Sequence, residues 1–290
     1  MKPSRFNLSF VILKVALLCL ALLLVIVALS SPEIPAVTSA AIDYTGSINE
    51  PSAHLRSGTG STMSSARFVA PIPKVISMMR SGPPPPPLLY GTAWKTDRTE
   101  ELVFMAVQNG FRGIDTACQP KHYYEPGVGD ALVRIYALGQ IRREDMFIQT
   151  KYTPFSGQDK NNVPYDKDAK LSDQVIQSFH ASLSNLKTDY LDSLVLHSPL
   201  EEHHDTMEVW RALEHIHSIG GARFLGISNC YEREVLSALY TEASVKPSFL
   251  QNRFYGESGH DRDIRKFCDE NGIIYQGFWT LTANPRAIQR

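Results

Sequence analysis

Several features that mark other protein classes are missing from this chain of 290 residues. Its 29 basic and 30 acidic residues nearly cancel, so no net positive charge attracts nucleic acid, and we predict no such partner. The four cysteines lack CxxC spacing and no His/Cys cluster has ligand spacing, so neither a disulfide scaffold nor a metal site is expected. What remains is an ordinary globular composition, 43% apolar and 20% charged.

The amino-terminal end is strongly apolar. Residues 15–29 form an uninterrupted apolar run, and residues 10–13 add four more apolar positions before Lys14. As a helix, this stretch is long enough to cross roughly 30 Å of hydrocarbon if Lys14 extends toward the headgroups. A signal peptide with a small-x-small cleavage site fits the same run. We therefore predict that 1–30 is a membrane anchor or signal segment that meets the bilayer through 10–29, in a single-pass membrane protein or, after cleavage, in the secretory pathway.

Residues 31–87 are rich in Ser, Pro, Ala and Gly, and they end in the five-proline run 83–87. Proline fixes φ and lacks a backbone N–H, so this run favours a stiff polyproline II spacer. We predict a disordered Pro/Ser-rich linker over 31–87 that tethers a folded domain over 88–290.

Short strand-like runs alternate with segments of helical apolar spacing throughout the carboxyl-terminal part, which is typical of parallel βα units. Among the alternatives, a doubly wound sheet is disfavoured because GxGxxG does not follow the first run. The prediction is a (β/α)8 TIM-type barrel that lacks the eighth strand and the last helices, with exposed edges on its first and seventh strands. The strand candidates are 88–92, 112–116, 146–150, 191–197, 223–228, 249–251 and 273–278.

Polar residues follow the apolar strands, and the carboxyl ends of barrel strands form one mouth where chemistry takes place. A tyrosine in the loop after the second strand would join them there. Because the phenol has an ordinary pKa of about 10, a neighbouring ammonium is needed to make it an effective proton donor. The residues at the strand ends are Asp115, Lys151, His197, Ser228 and Asn229.

The motifs LLYGTAWK, GFRGIDTA, KHYYE, VGDAL, REDMFIQTKY, LKTDYLDSLVLHSP, GISN, FLQNRFY and RKFCDENGII follow one another over about 88–281. In content and order they resemble the aldo-keto reductases. The resemblance implies NADPH-dependent reduction of aldehydes or ketones to alcohols. It also implies two sets of site residues, a catalytic tetrad of Asp115, Tyr123, Lys151 and His197, and a nicotinamide site of Ser228, Asn229, Gln251 and Phe278.

The loop QPKHYYE departs from the common family form, in which the tyrosine follows the aspartate at a shorter interval. Tyr124 therefore competes with Tyr123 for the role of acid. We choose Tyr123 because its spacing from Val128 fits better. Phe278 stands where the family commonly has tyrosine, and stacking needs only an aromatic face.

Two alternatives to an active reductase stay open at this point. Family members grip the adenosine 2′-phosphate with basic residues on and after the eighth strand, which this sequence does not show. The chain could thus be a non-catalytic barrel remnant that binds a partner or cofactor without turnover, or a secreted binding domain. Near the predicted mouth, Cys118 and Cys230 are interpreted as packing residues, and Trp94 and Trp279 as walls of the substrate pocket or as packing.

Overall fold

The computed structural model describes residues 82–285. The predicted membrane segment 10–29 and most of the linker lie outside the described residues, so both stay predictions. Within 82–285, no helix has the length and apolar character needed to cross a bilayer. The end of the linker contacts the folded domain, because the Arg223 guanidinium donates to the carbonyls of Gly82 and Pro83 at 3.1 Å each.

Strands and helices alternate along the described chain, which confirms the predicted βα pattern. The strands are β1 (Tyr90–Gly91), β2 (Gly113–Asp115), β3 (Phe147–Tyr152), β4 (Leu191–Leu196), β5 (Ala222–Ser228), β6 (Phe249–Arg253) and β7 (Ile274–Phe278). The helices are α1 (Thr99–Gln108), α2 (Glu125–Ala137), α3 (Leu171–Leu186), α4 (His203–Ser218), α5 (Arg233–Glu242) and α6 (Arg262–Asn271).

Three of the predicted strands differ from the structure by two residues at one end, and β3 is one of them, because it runs to Tyr152 where 150 was predicted. The first strand is much shorter than 88–92, because only Tyr90 and Gly91 pair with β2. The sixth strand is longer than 249–251 and runs to Arg253, because β7 pairs with it along its whole length. The extension places Arg253 at the carboxyl end of β6.

The sheet is parallel throughout, and each strand pairs with the next one along the chain, from β1 to β7. Gln149 on β3 donates to Gln276 on β7 at 2.9 Å, although three strands separate them. Neighbouring strands lie about 4.8 Å apart, so a flat sheet would hold these two strands roughly 19 Å apart. The sheet therefore curls like a barrel wall. Within the described residues, β7 pairs with β6 alone, and Ile274 on β7 is 49% exposed.

Alternation along β3 determines what the interior contains, since successive side chains point to opposite faces. Phe147 faces inward and packs edge-on against Phe249 at 6.0 Å between ring centroids. Lys151, four residues further on, faces the same interior near the mouth. Thr150 faces the helices, where it donates to Glu125. The strand thus positions a buried lysine at the end of the sheet where the loops begin.

Candidate active site

Lys151 and Asp115 form a buried ion pair at the carboxyl ends of β3 and β2. The Lys151 Nζ donates to Asp115 Oδ1 at 2.7 Å and to the carbonyl of Thr116 at 2.8 Å. Gln149 Nε2 donates to the same carboxylate oxygen at 2.8 Å. Burial alone would lower the pKa of Lys151, but the Asp115 carboxylate, with smaller contributions from Tyr123 and Glu125, more than offsets burial and the pKa is raised. The ammonium therefore stays charged inside the mouth.

Tyr123 lies beside this ammonium, in the loop between β2 and α2. The Lys151 Nζ is 5.3 Å from the centroid of the Tyr123 ring. The ring of His197 approaches it edge-on, with 6.0 Å between the centroids. Burial raises the pKa of the Tyr123 phenol, the Lys151 ammonium lowers it and the Asp115 carboxylate raises it, and the net shift is upward. The structure thus brings all four predicted tetrad residues to one place.

Tyr124, the competing tyrosine, occupies a different environment. Its side chain is 46% exposed and its ring lies against Gly127 in the first turn of α2. Backbone hydrogen bonds from His122 and Tyr123 to the carbonyl of Gln119 turn the preceding loop. This turn directs Tyr123 toward Lys151.

His197 is fixed from several sides just beyond β4. Its Nδ1 lies 2.6 Å from the Thr153 hydroxyl oxygen, and its backbone N–H donates to Tyr152 at 2.9 Å. Asn229 Nδ2 donates to its carbonyl at 2.8 Å. Burial, with help from the charge of Lys151, lowers the pKa of His197 to about 3. The imidazole is therefore neutral near pH 7.

We expect His197 to make the fold less stable as the pH falls from about 6.5 to about 3. The unfolded chain takes up a proton near the ordinary pKa of 6.5, whereas the folded imidazole resists protonation down to about 3. Below 6.5 proton uptake thus favours the unfolded state, by up to about 1.4 kcal/mol per pH unit. The free energy of unfolding, measured with urea across this pH range, should fall less steeply with decreasing pH for His197→Asn than for the wild type. Equal slopes would contradict the assignment.

The predicted nicotinamide residues lie on or directly after the neighbouring strands β5, β6 and β7. Ser228 Oγ donates to the carbonyl of Gln251 at 2.6 Å, and Asn229 Nδ2 lies 3.2 Å from Ser228 Oγ. Gln251 Nε2 donates to Gln276 at 3.2 Å. Phe278 ends β7 with a partly exposed ring. The mouth therefore has two halves. The predicted tetrad lies on and after β2–β4, and the predicted nicotinamide residues lie on and after β5–β7.

The two cysteines and two tryptophans near the mouth differ in burial. Cys118 and Cys230 are 2% and 1% exposed, as expected for packing residues, and burial raises the pKa of the Cys230 thiol to about 12. Trp94 and Trp279 are 63% and 48% exposed, so neither belongs to the core. Trp94 stacks on His122 with 3.9 Å between ring centroids.

Glu125 is a buried carboxyl group that the sequence reading missed. It accepts hydrogen bonds from Thr150 at 2.6 Å, from Ser182 at 2.9 Å and from Asn185 at 3.2 Å. Glu125 follows Tyr123 by two residues, and it bonds to Thr150, which precedes Lys151 on β3. Glu125 therefore links the loop that carries the tyrosine to the strand that carries the lysine. An acidic residue at a helix start was readable in the sequence, but its burial was not.

Replacing Glu125 with alanine is expected to lower the free energy of unfolding by about 1–3 kcal/mol, because buried donors lose their acceptor. Glu125→Gln keeps an acceptor oxygen and should lose less. Urea denaturation of both variants tests this. Equal stability of the alanine variant and the wild type would show that the network contributes nothing.

The fold and the site together define a barrel-type α/β protein with a polar site at the carboxyl ends of its strands. The family model described as the aldo/keto reductase family matches residues 88–283 of this sequence. The chain therefore belongs to the aldo/keto reductase family.

Curated relatives share about three residues in ten with this chain. An uncharacterized oxidoreductase of Bacillus subtilis (strain 168) is 31% identical over 61% of this chain and 56% of its own length. The glyoxal reductase of the same strain is 31% identical, covering 62% and 57%. NADPH-dependent codeinone reductase 1-4 of Papaver somniferum is 29% identical, covering 71% and 65%. The chain thus spans about half to two thirds of the length of these relatives.

Solved structures show the same fold. An aldo/keto reductase of Brucella melitensis superposes with a TM-score of 0.54 at 26% identity, covering 67% of this chain and 68% of its own. An aldo-keto reductase of Bombyx mori in complex with NADP has a TM-score of 0.55 at 23% identity, covering 66% and 62%.

Proposed function

We propose that this protein reduces aldehyde or ketone carbonyls to alcohols with NADPH as the source of hydride. The observation that carries the proposal is the buried Lys151–Asp115 pair beside Tyr123 and His197. Membership of the aldo/keto reductase family supports it. The names of relatives that use NADPH, and of a related structure that holds NADP, support the choice of cofactor.

The residues of the β5–β7 half of the mouth fit a nicotinamide ring. Asn229 and Gln251 offer amide groups that can pair with the nicotinamide carboxamide. The hydroxyl of Ser228 links the Asn229 amide to the backbone carbonyl of Gln251. Phe278 offers a partly exposed aromatic face for stacking. When bound there, the reduced cofactor supplies a hydride to the carbonyl carbon.

The residues of the β2–β4 half handle the proton. The Tyr123 phenol gives its proton to the carbonyl oxygen, so the substrate gains a hydride and a proton and becomes an alcohol. The Lys151 ammonium, held in place by Asp115, stabilises the tyrosinate until solvent returns the proton. Neutral His197 orients the carbonyl oxygen by a hydrogen bond.

The proposal is tested by turnover of the full 290-residue chain. Purified protein is mixed with NADPH and a panel of aromatic and aliphatic aldehydes, and loss of the reduced-nicotinamide absorbance is followed. We expect consumption that depends on both aldehyde and protein. If NADPH binds and no aldehyde is reduced, the chain is a non-catalytic binder and the proposal is wrong.

A further inference from the structure

Arg253 places a positive charge in the same half of the mouth as the nicotinamide residues. On β6, Gln251 faces the interior, where it contacts Gln276. Side chains two residues apart on a strand share a face, so Arg253 also points inward, one step nearer the mouth. Its partner on β7 is Phe278. Arg253 and Phe278, whose ring we propose to stack on nicotinamide, are therefore paired positions at the carboxyl ends of β6 and β7.

Among the described residues, this guanidinium has aromatic neighbours and no anionic partner. Its central carbon lies 4.2 Å from the ring centroid of Trp279 and 5.3 Å from that of Tyr255. Within 82–285, its Nε is buried without a hydrogen-bond partner, and no carboxylate forms an ion pair with it. Rings that cover the flat face of a guanidinium leave its in-plane N–H groups available to an oxyanion. An unpaired charge held in this way is poised to bind one.

We propose that Arg253 binds a phosphate group of the dinucleotide cofactor. The inference rests on the proposed function, because it assigns a contact within the same site. A phosphate is favoured over a substrate carboxylate by position. Arg253 follows Gln251 on β6 and pairs with Phe278 on β7, whereas the proton-transfer residues lie on or beyond β2–β4. An anion held at Arg253 is therefore on the cofactor side of the mouth.

The test measures the Kd for NADPH of the full chain by calorimetry. Arg253→Met keeps an unbranched apolar stem and removes the charge and the donors, and we expect its Kd to rise about tenfold to a hundredfold. Arg253→Lys keeps the charge but lacks the planar guanidinium, so its Kd for NADPH should lie between those of Arg253→Met and the wild type. Added salt should raise the Kd of the wild type more than that of Arg253→Met.

Arg265→Met is the matched control. The Arg265 guanidinium also lies near two aromatic rings, at 5.6 Å from Phe254 and 5.8 Å from Tyr275, but it belongs to α6 and donates to the carbonyl of His260. Its loss removes the same charge, and we expect no change in the Kd for NADPH. The urea midpoint of each variant, measured without cofactor, separates weak binding from failure to fold.

The outcomes separate this inference from the proposed function. If the wild type binds no NADPH, the proposed function fails. If the wild type binds NADPH and Arg253→Met binds it equally well, only the phosphate assignment is overturned. A higher KM for an aldehyde that bears a carboxylate, with neither the Kd for NADPH nor the KM for a neutral aldehyde changed, would also overturn it. Arg253 would then be a substrate contact.

Discussion

Replacing Tyr123 with phenylalanine is expected to lower kcat for carbonyl reduction by about 10²- to 10⁴-fold, the usual contribution of general-acid catalysis. The aromatic ring and its contacts with Lys151 and His197 remain, so the substitution removes the proton donor alone. The Kd for NADPH should not change, because the cofactor residues lie on other strands. Steady-state rates at saturating NADPH measure the effect.

Tyr124→Phe is the control for this variant. The Tyr124 side chain is 46% exposed, and its neighbour in the structure is the start of α2. We expect its kcat to match that of the wild type. If kcat falls in Tyr124→Phe and not in Tyr123→Phe, the proton donor is Tyr124.

Replacing Lys151 with methionine is expected to lower the free energy of unfolding by about 3–5 kcal/mol, as for other buried ion pairs that lose one partner. The Lys151 side chain is 1% exposed and that of Asp115 is 13% exposed, so the remaining carboxylate loses its counter-charge with little access to water. The same variant should also lose turnover, since nothing then stabilises the tyrosinate. Urea denaturation and steady-state rates measure the two effects separately.

The double variant Lys151→Met with Asp115→Asn separates these two roles. Because neither of these two positions then carries a charge, we expect it to be more stable than Lys151→Met alone. Its kcat should stay as low as that of Lys151→Met, since the ammonium is still missing. If the loss of stability in the double variant equals the sum of the losses in Lys151→Met and Asp115→Asn, or if turnover returns, Lys151 and Asp115 do not act as a pair.

The order of strands and helices could be predicted from the sequence because apolar periodicity and strand-end polarity are local signals. Asp115, Lys151 and His197 each end or follow an apolar run, so the mouth of a parallel barrel brings them together. The extent of pairing was not local. Only two residues of β1 pair with β2, whereas β7 pairs with all five residues of β6. The length of each strand therefore depends on its partner strand, which the residues of the strand itself do not identify.

Contacts between distant segments account for what the sequence did not reveal. Gln149 and Gln276 are 127 residues apart in the chain and hydrogen bond across the curled sheet. Glu125 is buried because a loop, a strand and a helix enclose it, and the spacing of its neighbours gives no sign of this. The choice between Tyr123 and Tyr124 likewise depends on the turn that the backbone makes at Gln119.

The central claim is that a hydride reaches a carbonyl carbon in the mouth that holds Tyr123 and Lys151. The full chain is supplied with NADPH that carries deuterium at both C4 positions and with an aldehyde that it reduces, and the alcohol is examined by mass spectrometry. The account predicts an alcohol that carries deuterium on the former carbonyl carbon, and Tyr123→Phe should form this alcohol far more slowly than the wild type. Alcohol without the label, or equal rates from the two proteins, would contradict it.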